Sequence, residues 1–206
     1  MWRALIALVA ALAAAPAAGA DRIVLDGVVF TAEHGGLRLL DGWGRGARAD
    51  PFVLVEEITA EGAAILTVRR PATRFGRPVA GGIGVGFVLE KIVTNRTGRP
   101  WTLFEMELRE ALGAPSDYWD GLSFHQSGDR TPYVTSDRFA RVDLADEPAD
   151  RLAFSGATIA PGETVRVRVA ITDHSPVSPF FLIQRRDAPL AGRAPATHQG
   201  DPPCAC

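Results

Sequence analysis

The stretch Thr-Val-Arg-Val-Arg-Val-Ala-Ile, residues 164–171, constrains the fold more than any other part of the chain. Val165, Val167, Val169 and Ile171 fall on one side of an extended backbone, and Thr164, Arg166 and Arg168 on the other. Side chains alternate with a period of two along a strand, so this is a strand with one apolar and one solvated face. Burying its four aliphatic side chains contributes at most about 1.5–3 kcal/mol each. Ala160-Pro161-Gly162-Glu163 precedes it. Proline presets φ at the second turn position and glycine accepts positive φ at the third, which predicts a type II turn.

Residues 86–94 (GFVLEKIVT) and 101–109 (WTLFEMELR) flank Asn95-Arg96-Thr97-Gly98-Arg99-Pro100, a connector of turn formers and polar groups. The spacing predicts a hairpin. In the second run Phe104, Met106 and Leu108 lie opposite Glu105, Glu107 and Arg109. Glu, Met and Leu favour helix, but the alternation selects strand. Further strands are expected at 23–30, 52–58, 63–70, 122–126, 139–144 and 180–185. With Gly/Pro turns between them and no long amphipathic helix competing, the pattern predicts an all-β fold, an antiparallel immunoglobulin-like β-sandwich.

Residues 1–20 have the three parts of a secretory signal. Arg3 supplies positive charge, residues 4–15 are apolar, Pro16 breaks the helix, and Ala18-Gly19-Ala20 offers small residues before a cut at Asp21. Twelve apolar residues fall short of the roughly 20 that a spanning helix needs, and no later stretch approaches that length. The mature chain is expected to lack a membrane span. Removing 20 of 206 residues leaves 186, the size of one domain over 21–187. Residues 188–206, rich in proline and poor in apolar side chains, read as a flexible tail. The single lysine, Lys91, among 22 basic residues suggests GC-rich coding, hence a Gram-negative bacterium and a periplasmic or extracellular destination. In such a protein the sequon Asn95-Arg96-Thr97 carries no expected role. A net charge of −2 gives no electrostatic case for nucleic acid.

The segments Val93 to Leu108 (VTNRTGRPWTLFEMEL) and Phe154 to Asp173 (FSGATIAPGETVRVRVAITD) resemble those of bacterial exported immunoglobulin-like sandwiches. They are most similar to surface proteins of the PEP-CTERM and choice-of-anchor kind. There a strand, an N-x-T-G-x-x-W turn and a second strand recur, and a Pro-Gly turn leads into a late strand. The resemblance spans residues 86–184 and implies geometry, not a chemical activity. The chain has no C-terminal Pro-Glu-Pro signal, apolar helix or arginine cluster, so covalent sorting is not part of what it implies.

Chemistry is sparse. No G-x-S-x-G elbow or internal cysteine offers a nucleophile, and Asp173-His174-Ser175 are neighbours in sequence where a triad needs convergence in space. A hydrolase would need His125 and an aspartate such as Asp120 to meet in a cleft. Calcium, which wants six to eight oxygens, has candidates in Asp117, Asp120, Asp129 and Asp137, although turn aspartates are ordinarily just solvated. Cys204 and Cys206, with His198, could bind copper(I) or zinc(II). They could equally form a local or mixed disulfide, or serve nothing. The stretch 116–133 (SDYWDGLSFHQSGDRTPY) interleaves Tyr118, Trp119, Phe124 and Tyr133 with Asp117, Asp120, His125, Gln126 and Asp129. Rigid aromatics beside hydrogen-bonding groups suit protein or sugar surfaces; core packing by Trp119 and Phe124 is the alternative. Gly42-Trp43-Gly44-Arg45-Gly46 lacks the lysine and following helix of a phosphate loop and reads as a loop. The expectation is a non-enzymatic exported sandwich that binds a protein or carbohydrate, with thiol or metal handling by the tail as the alternative.

Overall fold

The computed structural model describes residues 21–70, 86–115, 121–124, 133–145, 150–173 and 178–186. Among them run thirteen strands and no helix. The first five are β1 (Arg22–Leu25), β2 (Val28–Thr31), β3 (Leu37–Trp43), β4 (Phe52–Ile58) and β5 (Ala64–Arg69). Then come β6 (Gly86–Asn95), β7 (Trp101–Arg109), β8 (Leu122–Phe124) and β9 (Thr135–Ser136). The last four are β10 (Arg141–Ala145), β11 (Arg151–Ile159), β12 (Thr164–Asp173) and β13 (Phe180–Arg185).

These form two sheets. One has seven strands in the order β1-β2-β5-β13-β7-β11-β10, the other runs β3-β4-β6-β12-β8 with β9 beside β12. Every pairing is antiparallel except β4 with β6. The inward faces feed one apolar core, with Leu54, Leu89 and Val167 from one sheet meeting Leu66, Phe104 and Leu182 from the other. On β12 the alternation behaves as expected: Val165, Val167, Val169 and Ile171 are wholly buried, and Arg166 faces outward. The turn before it closes with Glu163 N–H donating to Ala160 O at 3.0 Å and Gly162 at φ 86°. No helix long and apolar enough to cross a membrane occurs among the described residues.

The hairpin expected between residues 86–94 and 101–109 does not form. β6 pairs with β4 and β12, whereas β7 pairs with β11 and β13 in the opposite sheet. The connector is an arch from one sheet to the other, because both runs bury an apolar face and the core lies between them. The run 23–30 is also not one strand: Asp26 (φ 45°) and Gly27 (φ 86°) turn it back, and β1 pairs with β2. An Asp-Gly pair at positive φ is the tight hairpin connection that matches strand twist. Gly42 and Trp43 belong to β3 rather than to a loop. Gly44 needs to be glycine, since it sits at φ +95° and a Cβ would lie 1.8 Å from the Pro51 carbonyl. The strands expected from sequence include none of β3, β9 and β11. The expected signal peptide and tail lie outside the described residues.

Candidate functional site

Three strands share one inward pattern of phenylalanine, leucine and a polar residue. β4 carries Phe52, Leu54 and Glu56; β6 carries Phe87, Leu89 and Lys91; β13, across the core, carries Phe180, Leu182 and Gln184. Period-two geometry forces each trio onto one face. The aromatics cluster, with ring centroids 5.5 Å apart for Phe52 and Phe87 and 6.4 Å for Phe87 and Phe180. Glu56, Lys91 and Gln184 are each 0% exposed. The only lysine of the chain therefore stands inside the sandwich.

Lys91 Nζ lies 2.6 Å from Glu56 Oε1. The parallel register sets Lys91 opposite Leu54 and Glu56 opposite Val93, so the two side chains meet on the diagonal. The Gln184 amide lies against the same carboxylate from the facing sheet. The approach is close but poorly directed: neither Glu56 oxygen, nor Lys91 Nζ, nor either Gln184 amide atom makes a well-formed hydrogen bond. A buried polar group without such a bond costs roughly 1–3 kcal/mol, so the cluster is held in place by the surrounding packing. Burial pushes the Glu56 carboxyl above the ordinary range, although Lys91, Gln184 and Arg186 pull it down. Burial likewise pushes the Lys91 amine below its ordinary value, against the pull of Glu56. Both directions favour an uncharged pair, amine beside carboxylic acid.

Arg186 closes this end of the core. Its Nη2 donates to the carbonyls of Ala60 and Gly62, and its guanidinium lies 5.5 Å from the centre of the Trp101 ring. The Trp101 indole donates to Thr97 Oγ1 at 3.0 Å, and Thr97 Oγ1 donates to Asn95 Oδ1 at 2.7 Å. Asn95 Nδ2 donates to Arg99 O at 2.8 Å and Ile159 O at 3.0 Å. The N-x-T-G-x-x-W motif is thus the hydrogen-bonded keystone of the arch. As a sequon it is spent: Asn95 is wholly buried with its amide engaged.

A second charged cluster occupies the outer face of the seven-stranded sheet. Glu105 and Glu107 are nearly buried there beneath Arg109, Arg151 and Arg185. Burial opposes ionisation of Glu107, but hydrogen bonds from Arg109 Nε (2.5 Å) and Arg185 Nη1 outweigh it and hold its pKa low. Glu105 has only looser contacts, 3.5 Å to Arg185 and 3.7 Å to Arg151, and burial raises it.

Of the residues singled out from sequence, Tyr118, Trp119, Asp117, Asp120, His125, Gln126, Asp129, His174, Ser175, His198, Cys204 and Cys206 lie outside the described residues. Phe124 is wholly buried in the core. Tyr133 packs on Val88 and Ala170, on the outer face of the six-stranded sheet, with the Arg48 guanidinium 5.2 Å from its ring centre. The Asp137 carboxylate accepts from the Arg166 backbone at 2.8 Å, so it is engaged with β12. Among the described residues no group of three or more His, Cys, Asp or Glu is placed to hold a metal ion. The interior trio went unremarked in the sequence, yet its signal was present: Lys91 keeps step with Phe87, Leu89 and Val93. Neither a protein-family model, nor a curated protein, nor a solved structure matches the chain.

Proposed function

We propose that this chain is a non-enzymatic, exported binding module with an immunoglobulin-like β-sandwich, akin to surface proteins of the PEP-CTERM and choice-of-anchor kind. It works in the periplasm or outside a Gram-negative cell and binds a protein or carbohydrate there. The supporting observation is Tyr133, 4% exposed and pinned between Arg48 and the outer face of the six-stranded sheet. Phe124 fixes the same aromatic–polar segment at β8, by entering the core. Around it the outer face offers Arg166 and Arg168 paired to Glu90, groups suited to polar partners.

The test is binding of purified mature chain (residues 21–206) to immobilised envelope polysaccharide and envelope protein fractions. Saturable binding that Tyr118→Ala with Trp119→Ala removes, at unchanged thermal midpoint, supports the reading. Capture that needs Cys204 and Cys206 and is released by reductant would replace it with thiol exchange through the tail. Turnover of a bound glycan or peptide would replace it with an enzyme.

A further inference from the structure

In a water-excluded interior the Glu56 carboxyl stands between the Lys91 amine, 2.6 Å away, and the Gln184 primary amide from the facing sheet. Those are the reactants and the proton carrier for amide exchange. We propose that Lys91 and Gln184 join in an intramolecular amide that bolts the two sheets together, with Glu56 as the proton relay.

The step balances without oxidant, reductant or added reagent. The Lys91 Nζ lone pair attacks Gln184 Cδ, and the Nζ–Cδ bond forms. Glu56 takes a proton from Nζ and returns one to Nε2. The Cδ–Nε2 bond then breaks and ammonia leaves. Attack requires an unprotonated amine and relay a protonated carboxyl, the forms that burial favours at Lys91 and Glu56. Exclusion of water protects the tetrahedral intermediate from hydrolysis, and rigid strands supply the proximity that makes such intramolecular steps fast. The exchange also accounts for the poor hydrogen bonding of all three groups. Unlinked, they form no settled polar network.

The link would join β6 to β13, hence the six-stranded sheet to the seven-stranded one. Chain closure of that length restricts the unfolded ensemble much as a disulfide does.

Intact mass of the purified, reduced and denatured chain tests this directly. The expected result is a mass lower than the sequence by one ammonia, with a single branched tryptic peptide carrying both Lys91 and Gln184. Because Lys91 is the only lysine, an amine-reactive label applied in denaturant should then modify the α-amine alone. Lys91→Arg, Glu56→Gln and Gln184→Met should each restore full sequence mass. A wild-type chain of full mass with a labelled Lys91 overturns the proposal, whatever the variants do. Loss of one water with Lys91 joined to Glu56 also overturns it, since Gln184 would not be the acyl donor.

Discussion

The side-chain amide of Asn95 donates to the carbonyl of Ile159 at 3.0 Å and so ties the end of β6 in one sheet to the end of β11 in the other. Its second N–H serves Arg99 O, and its carbonyl takes both the backbone and the hydroxyl of Thr97. Asn95→Ala would leave buried donors and acceptors unpaired at the point where the chain changes sheets. A loss of about 2–4 kcal/mol is expected, from roughly 1–3 kcal/mol per orphaned group with partial relaxation. The exposed Thr94–Thr164 hydroxyl pair supplies the control: Thr94→Ala should change stability by less than about 0.5 kcal/mol. Urea midpoints of the two variants, at constant m-value, decide the matter.

The interior pair predicts opposite pH slopes for its two single variants. In Lys91→Met, Glu56 is left buried with its pKa raised, so the folded state binds the extra proton. Stability is then fully present below the unfolded carboxyl value of about 4.3 and is lost as pH rises through the folded value. In Glu56→Gln, Lys91 is left buried with its pKa lowered, and the unfolded state binds the extra proton. Stability should rise with pH from the folded value up to the unfolded one near 10.4. Each slope approaches about 1.4 kcal/mol per pH unit within its window. With the pair unlinked, wild type should be flat between roughly pH 5 and 10, because ion pair and neutral pair hold the same single proton. With Lys91 consumed in the proposed amide, Glu56 titrates alone and wild type should slope as Lys91→Met does. Two variants sloping the same way would show that the pair is not what burial controls.

Close backbone packing predicts which glycines matter. A Cβ on Gly44 would meet Pro51 O at 1.8 Å, and one on Gly86 would meet Ile171 O at 2.0 Å. Both are backbone carbonyls, Ile171 within β12 and Pro51 directly before β4, and neither can swing aside as a side-chain tip can. Gly44→Ala and Gly86→Ala should each cost more than about 3 kcal/mol, or give no folded protein. Gly62 has open space around it and no positive φ. Gly62→Ala should be neutral, or stabilise by up to about 1 kcal/mol by restricting the unfolded chain. Thermal midpoints measured side by side check the ranking.

These contrasts mark how much the sequence discloses. Alternation identifies a strand and its buried face, which is why β4, β7, β12 and β13 were legible almost residue for residue. It does not identify a neighbour: residues 86–94 and 101–109 look like a hairpin, and only the demand for a shared core sends them to separate sheets. β11 escaped because its alternation fails at Gly156, where φ is +87° and the register with β7 shifts before Ile159. β3 escaped for the same kind of reason, a register shift between Leu39 and Asp41. The interior cluster was legible in principle, as a polar residue in step with Phe and Leu on three strands. What was not legible is that the three positions coincide, since that depends on sheet order.

The outer-face carboxylates supply a last contrast, between Glu105 and Glu107. Glu107 is ionised and gripped by Arg109 and Arg185. Glutamine cannot accept both guanidinium bonds as a charge, so Glu107→Gln should cost about 2–3 kcal/mol at pH 7. Its folded pKa lies below the unfolded one, so the stability it contributes is present above about pH 4.3 and is lost as pH falls through the folded value. The deficit of Glu107→Gln should therefore shrink in acid. Glu105 sits two residues away on the same face, but burial raises it and its arginine contacts are long. Glutamine imitates the protonated acid, so Glu105→Gln should cost less than Glu107→Gln at pH 7, by about 1 kcal/mol or more. Urea unfolding of both variants at pH 7, repeated near pH 4, separates the two roles. Equal costs at pH 7 would mean that Arg185 serves both carboxylates alike, and that the shorter contacts to Glu107 confer no advantage.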